Sequence, residues 1–334
     1  MSQPMPVSER LSDGYRALVA GAASWTARGM GLIEVAGADS HAFVNRIATA
    51  DLSLLPPGRF VDSLILRDDA SILDRVTVYR FPERVMLLVD AEQRSAAWDH
   101  ILERKRGNVR LRDISDDMGV IAVRGPATVA RMTSWLVPIP LEPGDLTTAR
   151  FGEIDVFAAR VAADGPEGID FYCRSRDCAA LAAALARAGV VPVDDDDWRL
   201  HRLEWGIANV GIEIDSGDTP VEAGLESLVA EGKGAPFPGE TALAARRAAG
   251  AMKRLVGIRV AGDVVPPPSS RVRVAGVMVD RVRSIGDSPR VGIIGMTAVP
   301  TTAATPGTAL LLLLGDQTWQ ATVVGRPFVR RTVG

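Results

Sequence analysis

Between Ser63 and Asp90 the chain alternates side chains with the period of two that marks β-strands. Leu64 and Leu66 alternate with Ile65 and Arg67, and residues 67–71 read as a polar turn. Residues 72–79 form a second β-rich run, with Val76 and Val78 on one face and Thr77 and Tyr79 on the other. Residues 81–84 turn again, and 85–89 make a third strand of a meander. Asp74 and Arg75 then start the middle strand, one toward each face. A charged pair beside a buried strand is costly unless it is paired or used. The pattern alone accounts for the two as a solvated strand end with a local ion pair.

The same reading organises the rest of the chain. Residues 1–6 form a frayed tail, and Leu11, Tyr15, Leu18 and Val19 predict a helix over 8–23. Residues 31–35 form a strand, and Asp39 is placed to cap a helix carrying Phe43, Val44 and Ile47, with His41 toward solvent. Residues 91–106 predict a helix that buries Ala97, Trp98, Ile101 and Leu102, followed by strands at 109–113 and 119–123. A helix over 127–136, a loop over 141–148, and strands at 154–159 and 169–173 joined by a turn at 163–168 come next. Ser175 caps a helix over 177–188, the acidic run 194–197 precedes a helix from 198 to about 209, and 242–249 form a short surface helix. From about Lys253 short β-branched runs alternate with Pro and Gly, the texture of a small antiparallel barrel or sandwich.

Composition narrows the function classes. At 334 residues the chain has room for two or three domains, and 24% charged and 47% hydrophobic residues are ordinary for a folded protein. A formal charge of −3 gives no electrostatic reason to expect nucleic acid or an anionic membrane as partner. The longest apolar run, 309–314, is far too short for a membrane span, and residues 1–16 lack the apolar core of a secretory signal, so a cytoplasmic location is expected. Cys173 and Cys178 read as isolated thiols, and His41, His100 and His201 fall in separate helical segments, so no metal site is expected. There is no phosphate-cradling glycine loop and no Gly-x-Ser-x-Gly. The candidate polar groups are Asp74, Arg75, Asp90, Asp170, Arg202, Glu204 and Lys233.

The run Ala70-Ser71-Ile72-Leu73-Asp74-Arg75-Val76-Thr77-Val78-Tyr79-Arg80 resembles the Gly-Gly-Ile-(Ile/Leu)-Asp-Asp-x-x-Val-Tyr-Arg run of the tetrahydrofolate-binding aminomethyltransferases, the glycine-cleavage T-proteins and their relatives. Thr49-Ala50-Asp51 with its Pro-Gly turn, Arg124-Gly125-Pro126, Gly168-Ile169-Asp170-Phe171, Arg202-Leu203-Glu204, Pro220 to Leu225 and Lys233 to Leu243 are similar, in order, to further stretches of that family. The resemblance implies an α+β fold of two intertwined domains around a central funnel, plus a C-terminal antiparallel β-barrel. By the same likeness the first domain takes 1–29 and 118–203, the second 30–117 and 204–251, and the barrel 252–334. It also implies that Asp170 stands where the family's Glu holds the aminopyrimidine edge of the pterin. A carboxylate can accept two parallel N–H bonds there, and such charge-assisted pairs are strong.

Two departures shape the expected activity. Arg75 stands where T-proteins have the catalytic acid, and a guanidinium cannot accept a proton. That argues against aminomethyl transfer from a lipoyl arm. The YgfZ-type relatives carry a Lys-Gly-Cys loop, and here the Cys position is Ala235, so thiol chemistry at that loop is excluded. The leading expectation is a tetrahydrofolate-dependent one-carbon transferase or demethylase acting on a small molecule, with a carboxylate as its natural handle. Asp74, Arg75 and Asp90 are the candidate catalytic residues. Asp170 with Tyr79 flanking the ring, Asp62 at a position where T-proteins carry a pterin-contacting Tyr, and Arg202 are the candidate cofactor-binding residues. Arg202 and Glu222 are also expected in buried ion pairs. A non-catalytic folate-binding accessory protein with an Asp74–Arg75 ion pair, and a folate-independent enzyme using the same funnel, are the alternatives. A monomer or weak dimer is expected.

Overall fold

A computed structural model describes residues 12–161 and 166–330. The expected tail at 1–6, the start of the first helix at 8–11 and the first half of the 163–168 turn lie outside the described residues. The chain divides into two compact units.

The first unit holds Asp13–Asp194 and Ser227–Ala242. Its helices are α1 (Asp13–Ala20), α2 (Ser40–Asn45), α3 (Arg94–Glu103), α4 (Thr128–Met132) and α5 (Cys178–Arg187). Its strands are β1 (Ala23–Ala27), β2 (Gly31–Ala36), β3 (Arg59–Leu66), β4 (Ile72–Arg80), β5 (Arg84–Val89), β6 (Arg110–Asp113), β7 (Met118–Arg124), β8 (Leu136–Val137), β9 (Leu146–Phe151), β10 (Ile154–Arg160), β11 (Gly168–Arg174) and β12 (Val191–Pro192). They form a five-stranded sheet, β3-β4-β5-β2-β6, and a seven-stranded sheet, β12-β1-β7-β11-β10-β9-β8.

Alternation within the strands decides the layers. Val76, Val78, Val85 and Leu87 pack against Phe43, Val44, Ala97 and Ile101 of α2 and α3. On the other face Tyr79, Met86 and Leu32 meet Val120, Ala159 and Tyr172 of the second sheet. The far face of that sheet buries Ile121, Phe171 and Cys173 against Leu181 and Leu185 of α5. The unit is thus a helix layer, two facing sheets and a second helix layer. The β3–β4 turn is shaped by Asp69, whose carboxylate accepts from the Ser71 N–H (2.9 Å) and hydroxyl (2.6 Å), and Ala70 takes the left-handed conformation at φ 69°.

The second unit holds Asp195–Glu226 and the chain from Leu243. It contains α6 (Asp195–Glu204), α7 (Pro220–Ala223), the larger part of α8 (Glu240–Ala249), and strands β13 (Lys253–Val260), β14 (Arg271–Val274), β15 (Val277–Arg281), β16 (Ser284–Ser288), β17 (Gly292–Pro300), β18 (Ala309–Leu314) and β19 (Gln317–Val324). All seven strands pair antiparallel in the order β15-β14-β18-β19-β13-β17-β16. The sheet curls on itself: the Thr297 hydroxyl of β17 donates to the Arg281 carbonyl of β15 at 2.8 Å, and the Ala298 N–H reaches Asp280 at 2.9 Å. The fold is α+β with a C-terminal antiparallel barrel.

Several local expectations are corrected. Asp39 makes no side-chain cap; its carboxylate accepts the Asn108 N–H at 2.7 Å instead. His41 is half-buried and its ring lowered in pKa by burial, not solvent-facing. In α3 the buried set is Ala97, His100 and Ile101, while Leu102 is 46% exposed. The loop expected over 141–148 yields to β9, whose Leu146 and Ala149 are buried. Glu222 belongs to a capping box with Thr219 rather than an ion pair. Ser175 donates to the Asp116 carbonyl at 2.8 Å and caps nothing.

Candidate functional site

The facing surfaces of the two sheets bring the polar candidates together. On β4, Arg75, Thr77 and Tyr79 share one face, and the cross-strand register sets Asp62 opposite Thr77 and Phe60 opposite Tyr79. Asp62 lies diagonal to Arg75. One Asp62 oxygen accepts from Arg75 Nη2 at 3.1 Å and the other from the Thr77 hydroxyl at 2.8 Å. Among the described residues that bond to Asp62 is the hydrogen bond that holds the Arg75 guanidinium, so its Nε and Nη1 donors meet no protein acceptor. The Arg75 side chain is 28% exposed.

The opposing face is built on β11. Asp170 and Tyr172 share a side of that strand, and Asp170 stands in one cross-strand row with Ala122 and Ala159. These two small neighbours leave its carboxylate without a bulky flank. Arg124, at the end of β7, registers with Gly168. A Cβ at 168 would meet Arg124 Cδ at 2.7 Å, so the glycine lets the arginine lie along β11. Arg124 reaches Asp170 with both terminal nitrogens, Nη1 to Oδ1 at 2.6 Å and Nη2 to Oδ2 at 3.2 Å, and Nη1 also donates to its neighbour's carbonyl, Val123 O, at 3.1 Å. Both side chains are largely buried, which favours a fork-to-fork pair.

Tyr79 and Tyr172 join the two faces. Their hydroxyls are hydrogen-bonded and their ring centroids lie 5.1 Å apart, with Phe60 against Tyr79 at 5.3 Å. Burial pushes the Tyr79 hydroxyl up, and the Asp170 and Asp62 carboxylates push it further. Both acids therefore act on one buried hydroxyl. Tyr79 is a core ring enclosed by aromatic neighbours, which corrects its expected place flanking a ligand.

The remaining candidates lie elsewhere. Asp74 is buried on the helix side of β4, with Val76 and Val78, and accepts the Asp90 N–H at 2.9 Å. Burial, reinforced by the Asp90 carboxylate and opposed by that N–H, pushes its carboxyl up to about 7. Asp90 in turn accepts the Glu92 N–H at 3.0 Å. Asp74 thus stands on the opposite face of β4 from Arg75, and the expected Asp74–Arg75 ion pair is replaced by Arg75–Asp62. Arg202, on α6 in the second unit, is committed to Glu213 by bonds of 2.9 and 2.7 Å. That buried pair, both partners 12% exposed or less, is structural and corrects its assignment to cofactor binding. Lys233 donates to the carbonyls of Ala48 and Ala50, the latter at 2.9 Å, and ties the 227–242 segment to the first unit; burial lowers it to about 8. No group of metal-ligating residues occurs among the described residues, and no helix there is long and apolar enough to cross a membrane.

Arg124 and Tyr172 were not singled out by the sequence. Tyr172 follows Asp170 at the strand period, which signals a shared face. Arg124 could be found only through the register that sets it beside Gly168.

The description "GCVT N-terminal domain" matches residues 5–233, and "Glycine cleavage T-protein C-terminal barrel domain" matches 253–330. The chain belongs to the glycine-cleavage T-protein family. An aminomethyltransferase of Bacillus velezensis is 28% identical over 90% of this chain and 85% of its own length. One of Symbiobacterium thermophilum is 29% identical over 98% and 91%. The crystal structure of glycine cleavage system aminomethyltransferase T from Bartonella henselae covers 95% of this chain and 88% of its own with a TM-score of 0.87; at 24% identity it shows a shared T-protein fold.

Proposed function

We propose that this T-protein family member is a tetrahydrofolate-dependent one-carbon transferase whose substrate is a small anion. The observation that carries the reading is the pair of opposed guanidinium–carboxylate groups on one inter-sheet face. Arg75 is fixed at one nitrogen by Asp62 and keeps donors for a ligand. A guanidinium held in this way suits bidentate recognition of a carboxylate.

The fit of a folate is tested by Asp170. Its carboxylate accepts two parallel N–H groups, those of Arg124, and the 2-amino-4-oxo pyrimidine edge of a pterin presents the same donor pair. The residues fit the ring, provided Arg124 gives way to it. Asp170 would hold the pterin, and Ala122 and Ala159 would leave it room. When bound, the folate supplies ring nitrogens that accept a one-carbon unit.

Titration with reduced folate by calorimetry under anaerobic conditions tests this, with Asp170→Ala alongside. Binding by the wild type that is lost in the variant is the expected result. Absence of wild-type binding refutes the reading. It would favour a folate-independent enzyme, a second reading suggested by the Arg124 fork already seated on Asp170.

A further inference from the structure

Away from that face, the two cysteines are not isolated. Cys173 lies on the helix side of β11, buried with Phe171, Leu181 and Leu185. Cys178 is the first residue of α5 and is half-buried. Between them the chain makes a single tight turn, Ser175–Asp177, and this returns the second sulfur onto the first: the Sγ atoms are 3.2 Å apart. Gly119 is the cross-strand partner of Cys173, and a Cβ there would overlap the Cys178 sulfur, so the glycine makes the space in which the thiols meet. Burial, and then Cys178 beside it, push the Cys173 thiol up. The reachable sulfur is therefore Cys178, with Cys173 behind it.

We infer that Cys173 and Cys178 form a dithiol modification site that reacts with a low-molecular-weight disulfide and closes to an intramolecular disulfide. In the first step the Cys178 sulfur attacks one sulfur of the incoming disulfide. A mixed disulfide forms at Cys178, and one small thiol leaves with the proton. In the second step Cys173 attacks the Cys178 sulfur, the bond to the second small thiol breaks, and that thiol leaves with the Cys173 proton. The protein is oxidised by two electrons and the small disulfide is reduced to two thiols. The raised Cys173 thiol is a poor nucleophile in solution, but contact with its target gives the second step the advantage of an intramolecular reaction. Closure asks the sulfurs to approach from 3.2 Å to about 2.05 Å. The bond would tie the end of β11, the strand bearing Asp170 and Tyr172, to the first turn of α5.

The test exposes the full-length protein to graded ratios of oxidised to reduced glutathione. Acid quenching, denaturation, alkylation and intact mass follow, for the wild type, Cys173→Ala and Cys178→Ala. The wild type is expected to lose two hydrogens, to take no alkyl label and to retain no glutathione. Cys173→Ala should hold one glutathione, because nothing resolves it, and Cys178→Ala should hold none. A wild type that keeps glutathione, or that takes two alkyl labels at every ratio, overturns the inference. Should Cys173→Ala fail to fold, the wild-type mass and Cys178→Ala decide on the same criteria.

Discussion

Asp74→Asn offers the sharpest test of how this strand is built. Asp74 is 1% exposed and sits on the apolar, helix-facing side of β4. Its carboxyl is raised from 3.8 to about 7, chiefly by burial. The sign follows from linkage: the folded state binds this proton more tightly than the unfolded chain. The contribution to stability is intact below the unfolded value near 4 and is lost as pH rises through about 7, levelling off above it. A shift of this size corresponds to an order of 4 kcal/mol at alkaline pH, of which rather more than half, roughly 2–3 kcal/mol, is lost between about pH 5 and pH 8. Asparagine keeps the Oδ acceptor for the Asp90 N–H and cannot ionise. Urea unfolding of both proteins at the two pH values gives a difference of differences in which the other titrating groups cancel. The variant should gain on the wild type by roughly 2–3 kcal/mol on going from pH 5 to pH 8. Parallel stability curves would refute the buried, proton-bearing Asp74.

Two further variants probe the inter-sheet face. Arg124→Gln removes the internal donor pair from Asp170, so reduced folate should bind tighter by roughly ten- to a hundredfold, the worth of a charge-assisted bond, as read by calorimetry; unchanged affinity would show that Arg124 does not compete with the ring. Arg75→Ala should raise KM for the anionic substrate at least tenfold and leave folate affinity within a factor of two or so, and equal turnover of substrate by the variant would exclude Arg75 as its anchor.

The meander was legible because its alternation is unbroken: the runs read at 72–79 and 85–89 appear as β4 (Ile72–Arg80) and β5 (Arg84–Val89). Period two also set Asp74 and Arg75 on opposite faces. What it could not say is which face meets helices and which meets a second sheet, because both are apolar. Asp74, a candidate acid through the family run, falls on the helix-facing side. Partner choice was equally hidden, since Arg75 finds Asp62 across β3 and Arg124 finds Asp170 across β11, contacts fixed by register rather than by sequence distance. The thiols looked isolated for a different reason: five residues apart spans a strand end and a turn, and only the reversal at Ser175–Asp177, with Gly119 making room, brings them together. Strand β9 was lost in a segment that Pro and Gly punctuate before it settles into alternation.

The two guanidinium–carboxylate pairs are not equivalent, and the difference bears on what the face can bind. Arg124 uses both terminal nitrogens on both oxygens of Asp170, so its fork is committed there. Asp62 accepts one bond at each oxygen, from Arg75 and Thr77, and Arg75 gives it one nitrogen only. Of the two guanidinium groups, Arg75 is therefore the one that keeps nitrogens for a ligand among the described residues. A pterin that took Asp170 would have to displace the largely buried Arg124 guanidinium from that carboxylate, which costs free energy, whereas a carboxylate docking on Arg75 displaces no such fork.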